Sequence, residues 1–560
     1  MKALRTLLSA TAMTVSLTSV CIASPTKGNG NIDTRPNIVV IIVDDMGFSD
    51  LGAFGSEIRT PNLDKLANAG VKLNNFHTTP VCAPTRAELM TGIDHHQTGI
   101  GHFPEFRQDN QIGKPGYEGY LNGNVATIAE RLQDAGYLTI QAGKWHLGMD
   151  PSANPARRGF ERSFTLVNGG HNHFGNEGQI VTTKFLPNAT NTYTLNGVRI
   201  DPPSRFYSST YFTDQFLKFL PDKKEKRPFF AYLAFTAPHY PLQAPKEDVA
   251  RYAGKYDVGY DEIRKRRLDN LVKLGLISRD TIAHTQTSPT RWESLSAEEK
   301  KISAKTMEVY AAMVDNIDQN VGRVIEALKK SGKYDNTVFV FLSDNGPEGT
   351  ELEKSFLFSD LGKAMLKSGD NRLESIGSEN SYIWYGTNWA EASSAPFSRF
   401  KSFPSEGGTR VAAFLSYSKH GRTGVEPSYI SVRDIAPTLF EFAKATPQDP
   451  TILRGKKVIP YQGTSFMSRV LPASPSPKIS PDFDAGEIFG RRFVREGRWK
   501  ALHIPQPYGS GKWELYDMEK DPGETRNLAD VHSDITERLV KAWNQYAVEK
   551  GVVLPVVPGN

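Results

Sequence analysis

Cysteine is almost absent from this sequence of 560 residues, which holds only Cys21 and Cys82. Cys21 falls in an N-terminal stretch that we expect to be removed, so the mature chain would carry one thiol and no intrachain disulfide. A lone thiol in an oxidising compartment is a liability unless it is buried or chemically needed. Cys82 is therefore either a small buried hydrophobic residue or a reactive group, and its neighbours decide between the two.

A strong excess of either charge is also missing. Lys and Arg number 67 against 62 Asp and Glu, and the basic residues do not gather into a block. This balance argues against nucleic acid as a partner, although a local concentration of positive charge would suit a small anionic substrate. The sequence shows no internal repeat and no low-complexity tract. With 47 glycines and 35 prolines, we expect a globular protein with many ordered loops.

Long hydrophobic runs are missing as well, and the longest mostly apolar stretch lies at the N-terminus. Lys2 and Arg5 precede the uncharged residues 7–20, and Cys21-Ile22-Ala23 follows where a signal peptidase would cut. This order is typical of a signal peptide over residues 1–23, and the stretch is too short to span a membrane. We expect a periplasmic or secreted protein without a transmembrane span. Lipidation of Cys21 in place of its removal stays open.

Four short apolar runs each lead into polar residues. The runs are near-continuous and rich in β-branched or aromatic residues, as strands buried on both faces are. Helical patterns lie between them, which predicts an α/β fold with a largely parallel sheet whose ligands bind beyond the carboxyl ends of the strands. The runs and the polar residues after them are 38–43 with Asp44 and Asp45, 137–140 with Lys144 and His146, 229–235 with His239, and 338–342 with Asp344 and Asn345.

Several helices can be placed from their caps and apolar stripes. Thr60-Pro61 begins one, Thr127 and Glu130 form a capping box, and the longest predicted helix covers 304–330. Two segments, 241–300 and 350–400, are polar and irregular, and we expect them to be loops or small insertions that wall a pocket.

The chain behind the signal peptide divides into two parts. Residues 24–470 carry the alternating strands and helices and would form the main domain. Residues 471–560 predict a small C-terminal α+β subdomain with a few antiparallel strands, turns and a final amphipathic helix over 536–550.

Adjacent carboxylates at two strand ends suggest a cation. Asp44 and Asp45 repel each other, and a positive ion is the simplest reason to hold such groups together. Oxygen ligands without a thiolate cluster favour a hard ion, Ca²⁺ or Mg²⁺, over zinc. Taken singly, either this pair or Asp344 with Asn345 more often caps a following turn or helix, and that alternative stays open.

Cys82 heads a segment that predicts a short helix. Pro84 suits its first turn and Gly92 would end it. Residue 82 would then lie at the positive end of the helix, with Arg86 one turn further on. An anionic oxygen formed at position 82 would be stabilised by both.

The chain resembles the sulfatase family, and bacterial arylsulfatases in particular. Residues 82–92 match the family signature Cys-x-Pro-Ser/Thr-Arg with a downstream Thr-Gly, and residues 136–148 match the second signature around Gly-Lys-Trp-His-Leu-Gly. Similar segments cover nearly the whole mature chain. The departures are Thr85, where many members have Ser, and Met90, where Leu is commoner; Thr keeps the hydroxyl. The resemblance implies a fold like the alkaline phosphatase superfamily.

The resemblance also implies an activity, the hydrolysis of sulfate monoesters with aryl sulfates favoured. A maturation enzyme would convert Cys82 to formylglycine (3-oxoalanine), which rests as a hydrated aldehyde. One hydroxyl attacks sulfur, and deprotonation of the other expels sulfate, an exit that serine lacks. The implied roles are Ca²⁺ binding by Asp44, Asp45, Asp344, Asn345 and an oxygen of residue 82, stabilisation of the ionised hydrate by Arg86 and Lys144, help in releasing sulfate by His146, and contact with the sulfate and the leaving oxygen by His239 and Lys401.

Two other functions stay open at this point. A phosphonate monoester or phosphodiester hydrolase would share the scaffold and the formylglycine, and a catalytically silent anion-binding protein would keep an intact thiol at Cys82. His239 and Lys401, taken singly, could be ordinary turn and surface residues. Four further histidines form clusters without an assigned role: His95, His96, His171 and His173.

Overall fold

A ten-stranded sheet forms the centre of the computed structural model, which describes residues 34–175, 191–355, 359–471 and 483–556. The strands of this sheet and of three smaller ones are numbered together in chain order. They are β1 Asn37–Val43, β2 Val71–Leu73, β3 Phe76–His77, β4 Leu138–Lys144, β5 Arg162–Leu166, β6 Tyr193–Leu195, β7 Val198–Ile200, β8 Phe229–Ala234, β9 Thr337–Ser343, β10 Ala413–Ser416, β11 Gly424–Glu426, β12 Ile430–Ser431, β13 Ile452–Leu453, β14 Lys456–Lys457, β15 Phe483–Ile488, β16 Arg491–Glu496, β17 Trp499–His503 and β18 Trp513–Asp517.

The middle of the main sheet is parallel. The strand order is β11-β2-β10-β9-β1-β8-β4-β5-β6-β7, and the block from β9 to β5 pairs in parallel throughout. Every residue of β1, β4, β8 and β9 is buried, which explains their near-continuous apolar sequences. The carboxyl ends of these four strands therefore meet at one edge, where the predicted polar residues follow.

Helices cover both faces of the sheet. Alternate residues of β1 enter two hydrophobic cores, Val39 and Ile41 in one and Ile38 and Val40 in the other. The predicted α/β class is confirmed. The helices are α1 Pro61–Asn68, α2 Cys82–Thr91, α3 Ile128–Asp134, α4 Ser208–Phe219, α5 Lys246–Ala250, α6 Gly259–Lys273, α7 Ala297–Lys330, α8 Ser359–Ser368, α9 Gly386–Ser393, α10 Glu406–Thr409, α11 Ile435–Phe442, α12 Met467–Val470 and α13 Ser533–Lys550.

Two segments predicted as irregular contain helices, so that expectation was wrong in part. Segment 241–300 holds α5 and α6, and segment 350–400 holds α8 and α9. Helix α6 buries Ile263, Arg267 and Leu271 at a spacing of four residues. This buried stripe is narrow and has a charged residue at its centre, so the sequence lacks the wide apolar face by which a helix is usually recognised. The longest helix begins seven residues earlier than predicted, at a capping box of Ser296 and Glu299.

The C-terminal part forms an antiparallel sheet covered by one helix, as predicted. Strands β15 to β18 pair in sequence order. Leu539 and Trp543 of α13 pack in one hydrophobic cluster with Ala485 and Val494 of the sheet. The proposed limits 24–470 and 471–560 remain predictions, because residues around that boundary lie outside the described ranges. The predicted signal peptide lies outside them too. Among the described residues, no helix combines the length and apolar character that crossing a membrane requires.

Candidate active site

The two polar pairs predicted at strand ends lie side by side. β1 and β9 are parallel neighbours whose last residues are in register. The backbone N–H of Asp45 donates to Asp344 Oδ1 at 3.3 Å, and Asn345 Nδ2 donates to Asp45 Oδ1 at 2.6 Å. Asp45 has a φ of 68°, a left-handed conformation that residues other than glycine seldom adopt. The chain thus turns sharply after β1 and keeps both aspartates, Asp44 and Asp45, buried at this edge.

Cys82 is the first residue of α2 and points its sulfur at the same edge. Its Sγ and carboxylate oxygens of Asp44 and Asp344 lie within 4.8 Å of one another. Burial raises the pKa of the Cys82 thiol to about 12, more than the nearby lysines lower it. An unmodified Cys82 is therefore a neutral thiol at pH 7, and a neutral thiol is a poor nucleophile.

Three cations surround Cys82, each paired with one of the carboxylates. All three side chains are buried, so their attraction is little screened by water. They supply the positive charge that attack on an anionic ester requires. The pairs are Arg86 with Asp344 at 2.7 Å, Lys144 with Asp44 at 2.5 Å and Lys401 with Asp45 at 2.9 Å.

His239 reaches the site from the loop after β8. Its Nε2 lies 3.6 Å from Asp45 Oδ2, and its Nδ1 donates to the carbonyl oxygen of Tyr240 at 2.5 Å. Burial lowers the pKa of His239 well below its usual value, and Lys401 and Lys144 lower it further. The ring is thus uncharged, with its proton on Nδ1 and Nε2 facing the carboxylate.

His146 comes two residues after Lys144, the last residue of β4. It too has a left-handed backbone conformation, with a φ of 58°. Burial lowers the pKa of the imidazole, and Glu105 opposes this effect from 3.5 Å away. The structure therefore brings together every site residue that the sequence indicated, and Glu105 is a neighbour that it did not indicate.

A hard divalent cation fits the residues present. Asp44 Oδ1 and Asn345 Oδ1 are buried and accept no hydrogen bond from any described residue. Buried polar atoms are normally satisfied, and oxygens without a protein donor are the groups that a cation binds. Together with Asp45 and Asp344 they make an all-oxygen set, which suits Ca²⁺ or Mg²⁺.

The unassigned histidines fall into two groups, and neither forms an ion pair with Asp44, Asp45 or Asp344 among the described residues. His173 Nε2 donates to the carbonyl oxygen of His239 at 2.9 Å, and His171 Nε2 shares a hydrogen bond with Thr236 Oγ1 at 2.8 Å. These two histidines support the loop that carries His239. His96 lies elsewhere, near the C-terminal sheet, and the ring of its neighbour His95 is inclined to it by 36° with 3.9 Å between the centroids.

Besides Glu105, two further supporting residues were missed from the sequence. Glu348 lies 3.3 Å from Lys401 Nζ, and it follows Asn345 by three positions, a spacing that could have drawn attention to it. Arg267 of α6 pairs with Asp50 at 2.5 Å beneath the turn that follows β1. Because segment 241–300 was expected to be irregular, no pattern in it singled out this arginine.

An aromatic cleft opens beside His239. The ring of Tyr240 lies 4.3 Å from that of His239 and 5.7 Å from that of Trp384, measured between centroids. The cavity between these rings has a volume of about 10 Å³, enough for one water molecule, so side chains would have to move apart before a flat aromatic group could stack there. We call this the aromatic cleft; its lining residues are Asp45, Pro238, Tyr240, Leu242, Tyr310, Glu348, Trp384 and Tyr385.

Comparisons with known proteins agree on one family. Residues 36–445 match the sulfatase family model. An uncharacterized sulfatase of Schizosaccharomyces pombe is 44% identical over 527 residues, covering 93% of this chain and 94% of the relative. The arylsulfatase of Klebsiella aerogenes is 40% identical over 444 residues, covering 78% and 92%. The crystal structure of Ps i-CgsB in complex with k-i-k-neocarrahexaose is 25% identical with a TM-score of 0.64, covering 94% and 95%.

The chain belongs to the sulfatase family and is a sulfuric ester hydrolase. The predicted resemblance to a bacterial arylsulfatase is confirmed by the Klebsiella relative. The alkaline-phosphatase-like fold is confirmed too, since sulfatase structures share the mostly parallel sheet, its flanking helices and the small C-terminal antiparallel sheet.

Proposed function

We propose that the protein hydrolyses aryl sulfate monoesters to a phenol and inorganic sulfate, with a formylglycine hydrate derived from Cys82 beside a bound calcium ion. The observation that carries this proposal is the close approach of Cys82 to Asp44 and Asp344, whose candidate ligand atoms lie within 4.8 Å of one another. A nucleophile position, an oxygen cation site and three buried cations thereby share one strand edge.

The calcium ion would be held by the side chains of both strand ends and by an oxygen of residue 82. When bound, it would draw negative charge from the ester and favour ionisation of the neighbouring hydroxyl. The two buried oxygens without hydrogen bonds from described residues support this assignment. The ligand set is Asp44, Asp45, Asp344, Asn345 and residue 82.

Residue 82, as the hydrated aldehyde, would supply one hydroxyl for attack on sulfur and a second whose deprotonation releases sulfate. The start of α2 puts this residue at the positive end of a ten-residue helix. Arg86, one turn further along, and Lys144 add two full charges. These groups would stabilise an ionised oxygen at position 82.

Lys401 and His239 would act on the ester from the other side. Burial alone lowers the pKa of Lys401, but Asp45, Glu348 and other nearby negative groups together outweigh it and raise the pKa well above its usual value. Lys401 therefore stays charged and would stabilise the leaving oxygen by donating a hydrogen bond. An ester anion beside Nε2 of His239 would favour protonation of that nitrogen, which could then give its proton to the leaving oxygen.

The preference for aryl esters is supported by the aromatic cleft. Tyr240 adjoins both His239 and Trp384, so a phenyl group attached to a sulfate near His239 would contact aromatic side chains once these move apart to enlarge the cavity. The name of the Klebsiella relative, arylsulfatase, agrees with this preference. We further propose export to the periplasm or the medium, because residues 1–23 have the pattern of a signal peptide, and maturation by a separate enzyme that oxidises Cys82.

Two measurements test this function. Mass spectrometry of the peptide that contains Cys82 should find the aldehyde in place of the thiol. The kcat/KM for para-nitrophenyl sulfate should exceed that for bis-para-nitrophenyl phosphate. A clear preference for the diester would assign the protein to the phosphodiester hydrolases on this scaffold, and an intact thiol without turnover would indicate a silent anion-binding protein.

A further inference from the structure

The ring of His146 is fixed between two walls. Gly169, in the loop after β5, passes so close that a Cβ at this position would lie 2.4 Å from Nε2 of the ring. The ring of Phe103 lies on another side, with its centroid 5.6 Å away and its plane inclined by 31°. The imidazole therefore cannot flip freely, and each of its nitrogens faces fixed surroundings.

The two nitrogens of His146 meet different groups. Nε2 lies 3.5 Å from Oε2 of Glu105, a residue in the loop between α2 and α3. Nδ1 is buried and makes no hydrogen bond to any described residue. One nitrogen thus faces a carboxylate while the other is left without a protein partner, and hydrogen bonds of this kind often tighten once substrate is bound.

The charges around His146 are unequal. Lys144 and Arg86 both act to lower the pKa of the imidazole beyond what burial does, and Glu105 acts against them. The other two neighbours of the ring, Phe103 and Gly169, carry no charge. Within the described residues, Glu105 is the carboxylate at ion-pair distance from this ring. A carboxylate on one imidazole nitrogen fixes the tautomer and makes the other nitrogen the proton acceptor.

We infer that Glu105 is a positioning residue for sulfate release, because it holds the ring proton of His146 on Nε2 and leaves Nδ1 as the proton acceptor. This inference rests on the role given to His146 in the proposed function. Nδ1 takes the proton as the O–H bond of the free hydroxyl on residue 82 breaks. The electron pair of that bond forms the C=O bond of the aldehyde, and the C–O bond that carries the sulfate breaks, so that sulfate leaves with the electrons of that bond. Glu105 balances the charge of the resulting imidazolium. The proton then passes to water, which restores the neutral ring.

The test is the pH profile of kcat for Glu105→Gln, which keeps the shape of the side chain and removes its charge. Without the carboxylate the pKa of His146 falls, so the neutral ring persists to lower pH. We expect the acidic limb of kcat to move down by about one pH unit. At the optimum kcat should fall about tenfold, because the base is weaker and less well oriented, while KM changes little. Asp109→Asn, an exposed acid in the same loop, is the matched control and should leave the profile unchanged.

A double variant separates this inference from the proposed function. If Glu105 acts through His146, then Glu105→Gln should have no further effect in a His146→Ala background. Equal losses from Glu105→Gln in both backgrounds, or a pH profile like that of Asp109→Asn, would overturn the inference alone. Wild-type turnover by His146→Ala would instead overturn the role of His146 in the proposed function.

Discussion

Two buried ionic clusters in this molecule use the same residue types and differ in how their oxygens are satisfied. At the edge of the main sheet, Asp44 accepts a hydrogen bond from Lys144 on one oxygen, while Oδ1 has no donor among the described residues. Near the C-terminal sheet, Glu406 accepts from Lys500 on Oε1 at 2.8 Å and from His77 on Oε2 at 2.9 Å.

The difference separates a proposed cation site from a purely structural cluster. We call the latter, formed by His77, Glu406, Lys500 and Glu524, the structural joint. Burial would raise the pKa of Glu406, but His77 and Lys500 outweigh it and hold the pKa well below its usual value. At the strand edge the balance is reversed, since burial raises the pKa of Asp45 to about 6 in spite of Lys401. A buried carboxylate is stable only when its charge is compensated, so the edge cluster is the one that an added cation would complete.

The largest effect expected is on turnover, from removal of residue 82. Cys82→Ala should lower kcat/KM by about 10⁴-fold or more, because the nucleophile is lost. The unfolding free energy should fall by only about 1 kcal/mol, since little buried volume is removed. Aryl sulfate turnover and urea unfolding measure the two quantities. Met90→Leu, buried in the same helix, should keep both near wild type. Turnover close to wild type in Cys82→Ala would exclude residue 82 from the reaction.

The structural joint should respond in the opposite way. Lys500→Met removes the partner that lies 2.8 Å from both Glu406 and Glu524. The unfolding free energy should fall by about 3–5 kcal/mol, because two carboxylates stay buried without their cation. The folded fraction should keep its kcat, since the site is unchanged. Urea unfolding gives the first value, with the exposed Lys512→Met as control. A variant of normal stability would show that the joint does not depend on this charge.

His96 offers a pH-dependent test of the same region. Burial alone would lower its pKa, but hydrogen bonds to Asp94 and Glu487 raise it to about 9. A pKa raised above the unfolded value gives stability that is complete below about pH 6.5 and is lost as pH rises through 9. The loss should be on the order of 3 kcal/mol.

Urea unfolding of wild type and His96→Gln between pH 6 and 9 measures that loss. The variant should be less stable at pH 6 and should lack the decline above it. His420→Gln, at an exposed position, serves as control and should follow wild type. Parallel curves for wild type and His96→Gln would mean that His96 carries no charge in the folded protein.

The smallest effect expected is the stabilisation by calcium. Bound metal is first removed with a chelator. Ca²⁺ added back at 100 times its Kd should then raise the unfolding free energy by about 2.7 kcal/mol, because only the folded chain presents the site. Calorimetry should show this shift in wild type and in Lys500→Met, and a much smaller one in Asp44→Asn. Mg²⁺ and Zn²⁺ should stabilise less at equal concentration. If Ca²⁺ stabilised Asp44→Asn as much as wild type, the ion would not bind at the strand edge.

The strand-edge cluster could be predicted from the sequence because its members directly follow strands. The end of a buried apolar run fixes where Asp44 and Asp344 lie, and parallel pairing brings such ends together. The family signatures then supplied the roles expected of Arg86 and Lys144. Local sequence was sufficient to predict the position of a site residue wherever that position follows from the strand or helix that carries it.

The rest depended on contacts that no local pattern encodes. Glu105 reaches His146 from a loop 41 positions earlier, without a signature around it. Arg267 lies on a helix whose apolar stripe it interrupts, so its pairing with Asp50 could not be foreseen. The partners of Glu406 come from β3 and β17, far apart in the chain. Such clusters are set by tertiary packing, which a single sequence does not reveal.

If an enzyme oxidises Cys82, as proposed, the depth at which this residue lies would set an order of events in biosynthesis. Only 1% of the residue is accessible in the folded chain, and strand ends and α2 enclose it. The oxidising enzyme would have to bind the surrounding segment before the sheet closes over it. Folding and oxidation would then compete for each new chain, and a chain that folded first would be well formed but inactive. The yield of active molecules would be governed by kinetics and not by the stability of the product.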